Sequence, residues 1–163
     1  MKESNVKEPK KYIRLHASPD AFAAEYDDPP VTVGELMTPD PITVLESAML
    51  SDSIRLMEEH EISGLPVVDG DGVLVGMISE TDVVRARGTE HLWHRWPGLR
   101  VRHLMHSPVV TADAQMAMGE AAQVMERAHV HRLVVVDEDQ VRPVGIISTS
   151  DLVRALAHRP TDG

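Results

Sequence analysis

The sequence predicts an α+β protein made of two copies of one small unit, and three observations carry that prediction. The first is internal duplication. Sliding the chain by 68 residues, then by 69 after one inserted residue near Pro143, makes 20 of 54 positions across Val33–Ala86 identical. Ordinary residue usage would match roughly one position in fifteen, and a fixed internal period decides the architecture before any single element does. The second is a pair of β-branched runs in each copy, Leu65-Pro-Val-Val-Asp69 before Gly76-Met-Ile-Ser79, and Leu133-Val-Val-Val-Asp137 before Gly145-Ile-Ile-Ser148. Runs of this length bounded by turn residues read as strands. The third is a Ser-x-x-Asp that ends the later run of each copy, Ser79–Asp82 and Ser148–Asp151, and opens a helical pattern.

Taken in order, residues 1–30 mix Lys, Glu, Asp, Ser and Pro and read as a tail, with a strand near Tyr12–Leu15 and a short helix at Ala21–Tyr26 as its only candidate elements. Repeat one spans 31–87. Val33–Met37 reads as a helical turn stopped by Pro39 and Pro41, and Ile42–Val44 as a short strand. Leu50, Ile54 and Met57 recur at helical spacing, which predicts an amphipathic helix over Met49–His60. Strands at Gly64–Asp69 and Val73–Ser79 flank the turn Gly70-Asp-Gly72, and a helix over Thr81–Arg87 closes the unit. A linker, 88–100, carries both tryptophans in His91-Leu-Trp-His-Arg-Trp96. Repeat two, 101–157, repeats the order: turn helix, strand Val109–Thr111, helix Met118–Ala128, strands Leu133–Asp137 and Val144–Ser148, helix Asp151–Ala157, then a tail at 158–163.

A repeat of some fifty-five residues has a marginal core, so the copies are expected to bury their apolar faces on each other. With 42% apolar but only 3% aromatic residues, that core must be aliphatic. The absence of cysteine excludes disulfides, thiol catalysis and cysteine-ligated zinc, and is compatible with the cytoplasmic location expected here. The Lys-rich start has no apolar stretch behind it to make a signal peptide, and no apolar run approaches the ~20 residues of a membrane span. A formal charge of −10 argues against nucleic-acid binding. Phosphate-loop, dinucleotide, nucleophile-elbow and zinc-protease motifs are all missing, so the protein reads as no enzyme and requires no cofactor.

Each Ser-x-x-Asp has two readings. As a capping box, the Ser is the N-cap and the Asp the third helical residue. As a ligand site, the same helix start offers N–H groups and positive dipole to a phosphate, and hydroxyls of Ser79, Thr81, Ser148 and Ser150 add donors. Asp82 or Asp151 would then accept from ribose hydroxyls. A second feature is the basic group Arg127, His129, His131 and Arg132 in an acidic chain, where repeat one has Glu59, Glu61, Ser63 and Gly64. A solvated helix end accounts for Arg127 and His129. It accounts less well for His131-Arg132 at the mouth of a buried strand, where Arg suits bidentate phosphate contact. His91-x-x-His94 and His103-x-x-His106 put imidazoles one helical turn apart, without an obvious third metal ligand.

With these residues in view, the two copies of Leu-Met…Thr…Met-Glu…Leu-x-Val-Val-Asp…Val-Gly-[MI]-Ile-Ser-x-x-Asp resemble a tandem pair of CBS domains, a Bateman module, over about Val31–Ala157. Repeat two is similar to the last CBS domain of the AMP-activated protein kinase γ subunit, in Val130–Glu138 and Gly145–Leu152. The resemblance implies two βαββα repeats packed through their sheets with pseudo-twofold symmetry, commonly as a homodimer, with an adenine nucleotide (AMP, ADP or ATP) as regulatory ligand in the clefts between repeats. By position it assigns adenine to Ile42, Thr43 and Val44 or to Val110 and Thr111, ribose to Asp82 or Asp151, and phosphate to Ser79, Thr81, Ser148, Ser150, His131 and Arg132. Ser63-Gly64 departs from the basic pair, so the two pockets are expected to differ, and Val134 stands where Pro66 stands in repeat one. The expected function is energy-state signalling to a regulated protein partner. The alternatives are a ligand-free interaction module and a metal-responsive stress protein. Homodimerisation is expected through the apolar faces of Leu50–Met57 and Met118–Met125.

Overall fold

The computed structural model describes residues 31–88, 98–139 and 141–157, together with the backbone of 12–14. The elements are β1 (Tyr12–Arg14), α1 (Val33–Leu36), β2 (Thr38–Pro39), β3 (Val44–Leu45), α2 (Leu50–Glu59), β4 (Gly64–Val68), β5 (Leu74–Ser79), α3 (Glu80–Arg87), a 3₁₀ turn (Val101–His103), β6 (Val109–Ala112), α4 (Met118–Ala128), β7 (Arg132–Val136), β8 (Pro143–Ser148) and α5 (Thr149–Ala157). The α+β expectation holds. The candidate helix at 21–26 and the His91–Trp96 stretch lie outside the described residues.

Two sheets form, ordered β1-β6-β7-β8-β2 and β3-β4-β5. Each repeat contributes one parallel pair (β3 with β4, β6 with β7) and one antiparallel hairpin (β4 with β5, β7 with β8). The hairpin turns are held by the Asp that ends each first run. Asp69 Oδ1 accepts from the N–H groups of Asp71 (2.9 Å) and Val73 (3.0 Å), and Asp137 Oδ1 from Val141 (3.1 Å) and Arg142 (3.2 Å). An aspartate that reaches back to its own turn in this way replaces backbone ladder bonds.

The leading turns cross over. Val33 packs into the core of repeat two beside Ala121, Leu133 and Ile147, while Leu99 and Val101 pack into the core of repeat one beside Leu50, Leu65 and Ile78. The backbone follows: Val33 N–H donates to Met116 O and Gly34 N–H to Ala114 O (both 2.8 Å), and reciprocally Leu50 N–H donates to Leu99 O (2.9 Å) and Val101 N–H to Ala48 O (3.0 Å). A third cluster, Leu74, Met77, Val109, Val134 and Val136, joins the two sheets.

Two sequence expectations change. The Pro39 region does more than stop a helix: Thr38 and Pro39 form β2, which pairs with Ile146 and Gly145 of the other repeat, and Met77 pairs with His106 in the mirrored position. The candidate tail strand near Tyr12–Leu15 does form, as β1, parallel along the edge of β6. The apolar faces of α2 and α4 are not left for a dimer. Leu50 and Met57, and Val124 and Met125, are buried in the chain's own cores, because a small repeat needs that area for itself. The large apolar side chains left in water include Val84 (70% exposed) on α3, its repeat mate Val153 (64%) on α5, and Leu156 (57%).

At the start of α1, the N–H and hydroxyl of Thr32 donate to Glu35 Oε2 (2.7 and 3.0 Å). These bonds, the backbone one first, hold the Glu35 carboxyl below its usual range. The sign follows: the cap's contribution is present at neutral pH and fades as pH falls through that lowered value, and at an exposed site it is small.

The crossover dictates glycine at two duplicated positions. A Cβ on Gly76 would lie 2.6 Å from Met105 Sδ and 3.1 Å from His106 O, and one on Gly145 would lie 3.1 Å from Met37 Cγ and 3.2 Å from Thr38 O. Gly76→Ala and Gly145→Ala are each expected to lower stability by about 1–3 kcal/mol through overpacking against the partner repeat's turn. Gly70→Ala, where a Cβ meets nothing within 4 Å, serves as the control with little effect. Urea unfolding of the three variants measures the difference.

Candidate functional site

Where each strand pair meets the crossing turn of the other repeat, a cleft opens. The first, about 510 Å³, is lined by Thr38, Asp40, Pro41 and Ile42 from the leading segment of repeat one, by Ile62, Ser63 and Gly64, and by His131, Arg132, Ile146, Ser148, Thr149, Ser150 and Asp151 of repeat two. The second, about 410 Å³, is lined by His106, Pro108, Val109 and Val110 of repeat two, by Val130, His131, Arg132 and Val134, and by Ser63, Met77, Ser79, Glu80 and Thr81. The duplication relates them position by position: Thr38 matches His106, Asp40 Pro108, Ile42 Val110, Ser148 Ser79, Thr149 Glu80 and Ser150 Thr81.

The sequence-predicted residues therefore divide. Ile42, Ser148, Ser150 and Asp151 share the first cleft, and Ser79, Thr81 and Val110 share the second. His131 and Arg132 line both, so the basic pair is not the property of one pocket, as its restriction to repeat two suggested. Thr43, Val44, Thr111 and Asp82 line neither. Thr111, the strand neighbour of Val110, is buried on the inward side as alternation requires, and Val44 is buried in the core of repeat one. Residues that sequence reasoning did not assign to a cleft are Thr38, Asp40 and His106 on the crossing turns, His106 having been weighed only as a metal ligand, and Glu80 at the start of α3. The signal for them was the repeat offset, which pairs each with a residue facing the other cleft.

Both Ser-x-x-Asp motifs form caps. Asp82 Oδ2 accepts from Ser79 N–H (2.7 Å) and Oγ–H (2.6 Å), and Asp151 Oδ2 from Ser148 N–H and Oγ–H (both 2.8 Å). Each helix start is also tied to the residue that leads into the first strand of its hairpin, Glu80 N–H to Ser63 O (3.1 Å) and Thr149 N–H to His131 O (2.9 Å). One carboxylate oxygen remains outward at each Asp. Asp151 Oδ1 lies 3.5 Å from Arg154 Nη1, and Asp82 Oδ1 lies 3.3 Å from His106 Nδ1. A mostly buried carboxylate with one oxygen capped and the other turned outward can accept from a hydroxyl pair. Asp151 presents this to the first cleft. Asp82 presents it to an imidazole instead.

Arg132 rises from β7 opposite Ser148 and reaches into repeat one. Its Nη2–H donates to Ser63 Oγ (2.7 Å), and its Nη1 stands 2.6 Å from the place a Gly64 Cβ would take. Gly64 is the repeat mate of Arg132, so a larger residue there would displace the guanidinium. Among the described residues, no three His, Asp or Glu side chains converge as metal ligands. No helix among the described residues is long and apolar enough to cross a membrane.

The comparisons agree with the duplicated fold. The family model described as CBS domain matches residues 33–88 and again 101–158. Uncharacterized protein MJ1426 of Methanocaldococcus jannaschii is 34% identical over 145 residues, covering 71% of this chain and 86% of that protein. The human 5'-AMP-activated protein kinase subunit gamma-3 is 33% identical over 121 residues, 72% of this chain but 24% of the subunit. Among solved structures, CBSX2 in complex with AMP aligns with a TM-score of 0.67 at 29% identity, covering 77% of this chain and 96% of that one. The CBS domain pair of protein MJ0100, in complex with 5'-methylthioadenosine and S-adenosyl-L-methionine, aligns at 0.70 and 26% identity, covering 79% and 98%.

Because the two aspartates cap their helices, removing either is expected to cost stability before any ligand is added. Asp82→Ala and Asp151→Ala should each lose about 0.5–2 kcal/mol in urea unfolding of the ligand-free chain. Asp→Asn keeps an acceptor for the serine N–H and should lose less. Equal stability of Asp151→Ala and the wild type would mean the cap carries no weight.

Proposed function

We propose, from the premise that this chain belongs to the CBS domain family and carries that domain twice, that it is a regulatory module whose first cleft binds an adenine nucleotide. The observation that carries the proposal is the convergence in one cleft of an apolar wall (Pro41, Ile42, Ile62, Ile146), a mostly buried carboxylate (Asp151), and a group of phosphate-binding character (His131, Arg132, Ser148, Ser150). Those three chemistries in sequence match a base, a ribose and a phosphate. The bound AMP of CBSX2 and the bound adenosyl compounds of MJ0100 support the same ligand class.

In this reading Ile42 packs the adenine, Asp151 accepts from the ribose, and Arg132 with the serine hydroxyls holds the phosphate. The protein acts by binding, not by catalysis. Its signal is the set of the two crossing turns, since the first cleft is walled by one repeat's turn and the other repeat's helix. A regulated protein partner would read that set. The openness of both clefts weighs against the interaction-only alternative, in which side chains would fill them. In this reading chains pair as a homodimer, and the repeat mates Val84 and Val153 are the most exposed of the large apolar residues described.

A thermal-shift series with AMP, ADP, ATP, GTP, S-adenosylmethionine and Zn²⁺ tests the ligand class. Adenine nucleotides are expected to raise the melting temperature by mass action and Zn²⁺ to leave it unchanged. Asp151→Asn, which keeps the cap, should weaken AMP roughly tenfold by calorimetry, the difference between a charged and a neutral acceptor. No stabilisation by any adenine compound would reject the proposal. Separately, light scattering at micromolar concentration is expected to give twice the chain mass for wild type and a monomer for Val84→Asp combined with Val153→Asp. A wild-type monomer would remove the dimer.

A further inference from the structure

The two clefts have matching shapes but only one strong cation between them. Among the described residues lining either cleft, Arg132 is the sole Arg or Lys, and it lines both. Its repeat mate is Gly64, which leaves the space that the guanidinium enters, and the mate of His131 is Ser63, which accepts its hydrogen bond. Repeat one therefore returns no cation for the one it borrows. A guanidinium has five N–H donors in a rigid plane, and a bidentate phosphate contact commits one edge of that plane. Turned toward Ser148 and Ser150 the group serves the first cleft. Turned toward Ser79 and Thr81 it serves the second.

The surroundings are unequal. At the first position of α5 the first cleft has Thr149, a neutral donor. At the same position of α3 the second cleft has Glu80, whose negative charge opposes a phosphate there. The outward oxygen of Asp82 faces His106 of the crossing turn and that of Asp151 faces Arg154 of its own helix, and of the two aspartates Asp151 lines a cleft.

We propose that Arg132 is a single phosphate-binding arm shared by the two clefts, so that one chain holds one phosphate ester tightly, in the first cleft, while the second cleft takes a phosphate ester only weakly and accepts an uncharged nucleoside. This rests on the nucleotide reading above and adds to it a rule of occupancy. A phosphate ester in one cleft withdraws the cation from the other, and Glu80 against Thr149 decides which cleft keeps it.

Calorimetry of the full chain with AMP and with adenosine tests the rule. With AMP, the wild type is expected to show one site and a second at least tenfold weaker, the difference of about one charge-assisted hydrogen bond. Adenosine, which makes no demand on the arm, should bind AMP-saturated protein with the affinity it has in the second cleft of the free chain. In Arg132→Ala, AMP binding to the first cleft should weaken about tenfold and the gap between the two AMP sites should close to within about threefold. Arg132→Gln provides the same comparison with the side-chain volume kept, and circular dichroism with urea unfolding verifies that both variants are folded. Two equal AMP sites on the wild type, or a gap that survives in both variants, overturns the shared arm and leaves the nucleotide reading standing. A wild type that binds neither AMP nor adenosine overturns both.

Discussion

The structure depends on the exchange of the two leading turns, by which Val33 completes the core of repeat two and Leu99 and Val101 complete that of repeat one. A unit of this size buries too little surface to be stable alone, and lending a turn to the neighbour lets each core gain residues that its own chain segment could not place. The exchange makes stability a property of the pair. It also constrains positions far from either core. Met37 and Met105 ride on the exchanged turns and lie over Gly145 and Gly76, so a side chain at either glycine would push the crossing turn off the sheet.

The clefts are a product of the same exchange. A turn that crosses to the other repeat must leave a gap where it departs from its own sheet, and that gap is bounded by the start of the partner's last helix. Cleft-lining residues are therefore drawn from both repeats, Ile42 from one and Asp151 from the other. Near the pseudo-twofold axis the clefts come close enough to share residues. Ser63, His131 and Arg132 line both. Symmetric backbones with asymmetric side chains are what duplication followed by divergence produces, and here the divergence falls on the residues with charge: Glu80 against Thr149, His106 against Thr38, Arg132 against Gly64.

The elements were legible in the sequence to within a residue or two because their signals are local. The period of Leu50, Ile54 and Met57 marks α2, and the Ser-x-x-Asp marks where strand passes to helix. What could not be read was whatever depends on which surface meets which. Nothing in Thr38-Pro39 says that two residues will pair with Gly145 and Ile146 across the molecule. The same limit hid the shared position of Arg132, since its sequence neighbours belong to repeat two and its hydrogen bond goes to repeat one. Thr43, Val44 and Thr111 were assigned to the site by family position together with Ile42 and Val110. Alternation accounts for Thr111, which faces inward beside the cleft-lining Val110, whereas Val44 begins β3 and is taken into the core of repeat one.

The capping and ligand readings of the Ser-x-x-Asp motif are compatible, because they use different oxygens of one carboxylate. Oδ2 of Asp82 and Asp151 is spent on the N–H and hydroxyl of the preceding serine, which fixes the carboxylate's orientation. Oδ1 is then held outward without further ordering, so a ribose reaching it meets an acceptor whose rotamer is already set and costs no additional side-chain entropy. In the second cleft the same preorganisation is directed at His106, which sits on the crossing turn and whose backbone pairs with Met77. A ligand that reached Asp82 would have to compete with that imidazole and so would act on the exchanged turn itself. In the first cleft the matching residue is Thr38, which carries no charge to pair with Asp151. The aspartate that fits a ribose without disturbing the exchange is thus the one beside Thr149, and the aspartate beside Glu80 is tied into the exchange that holds the two repeats together.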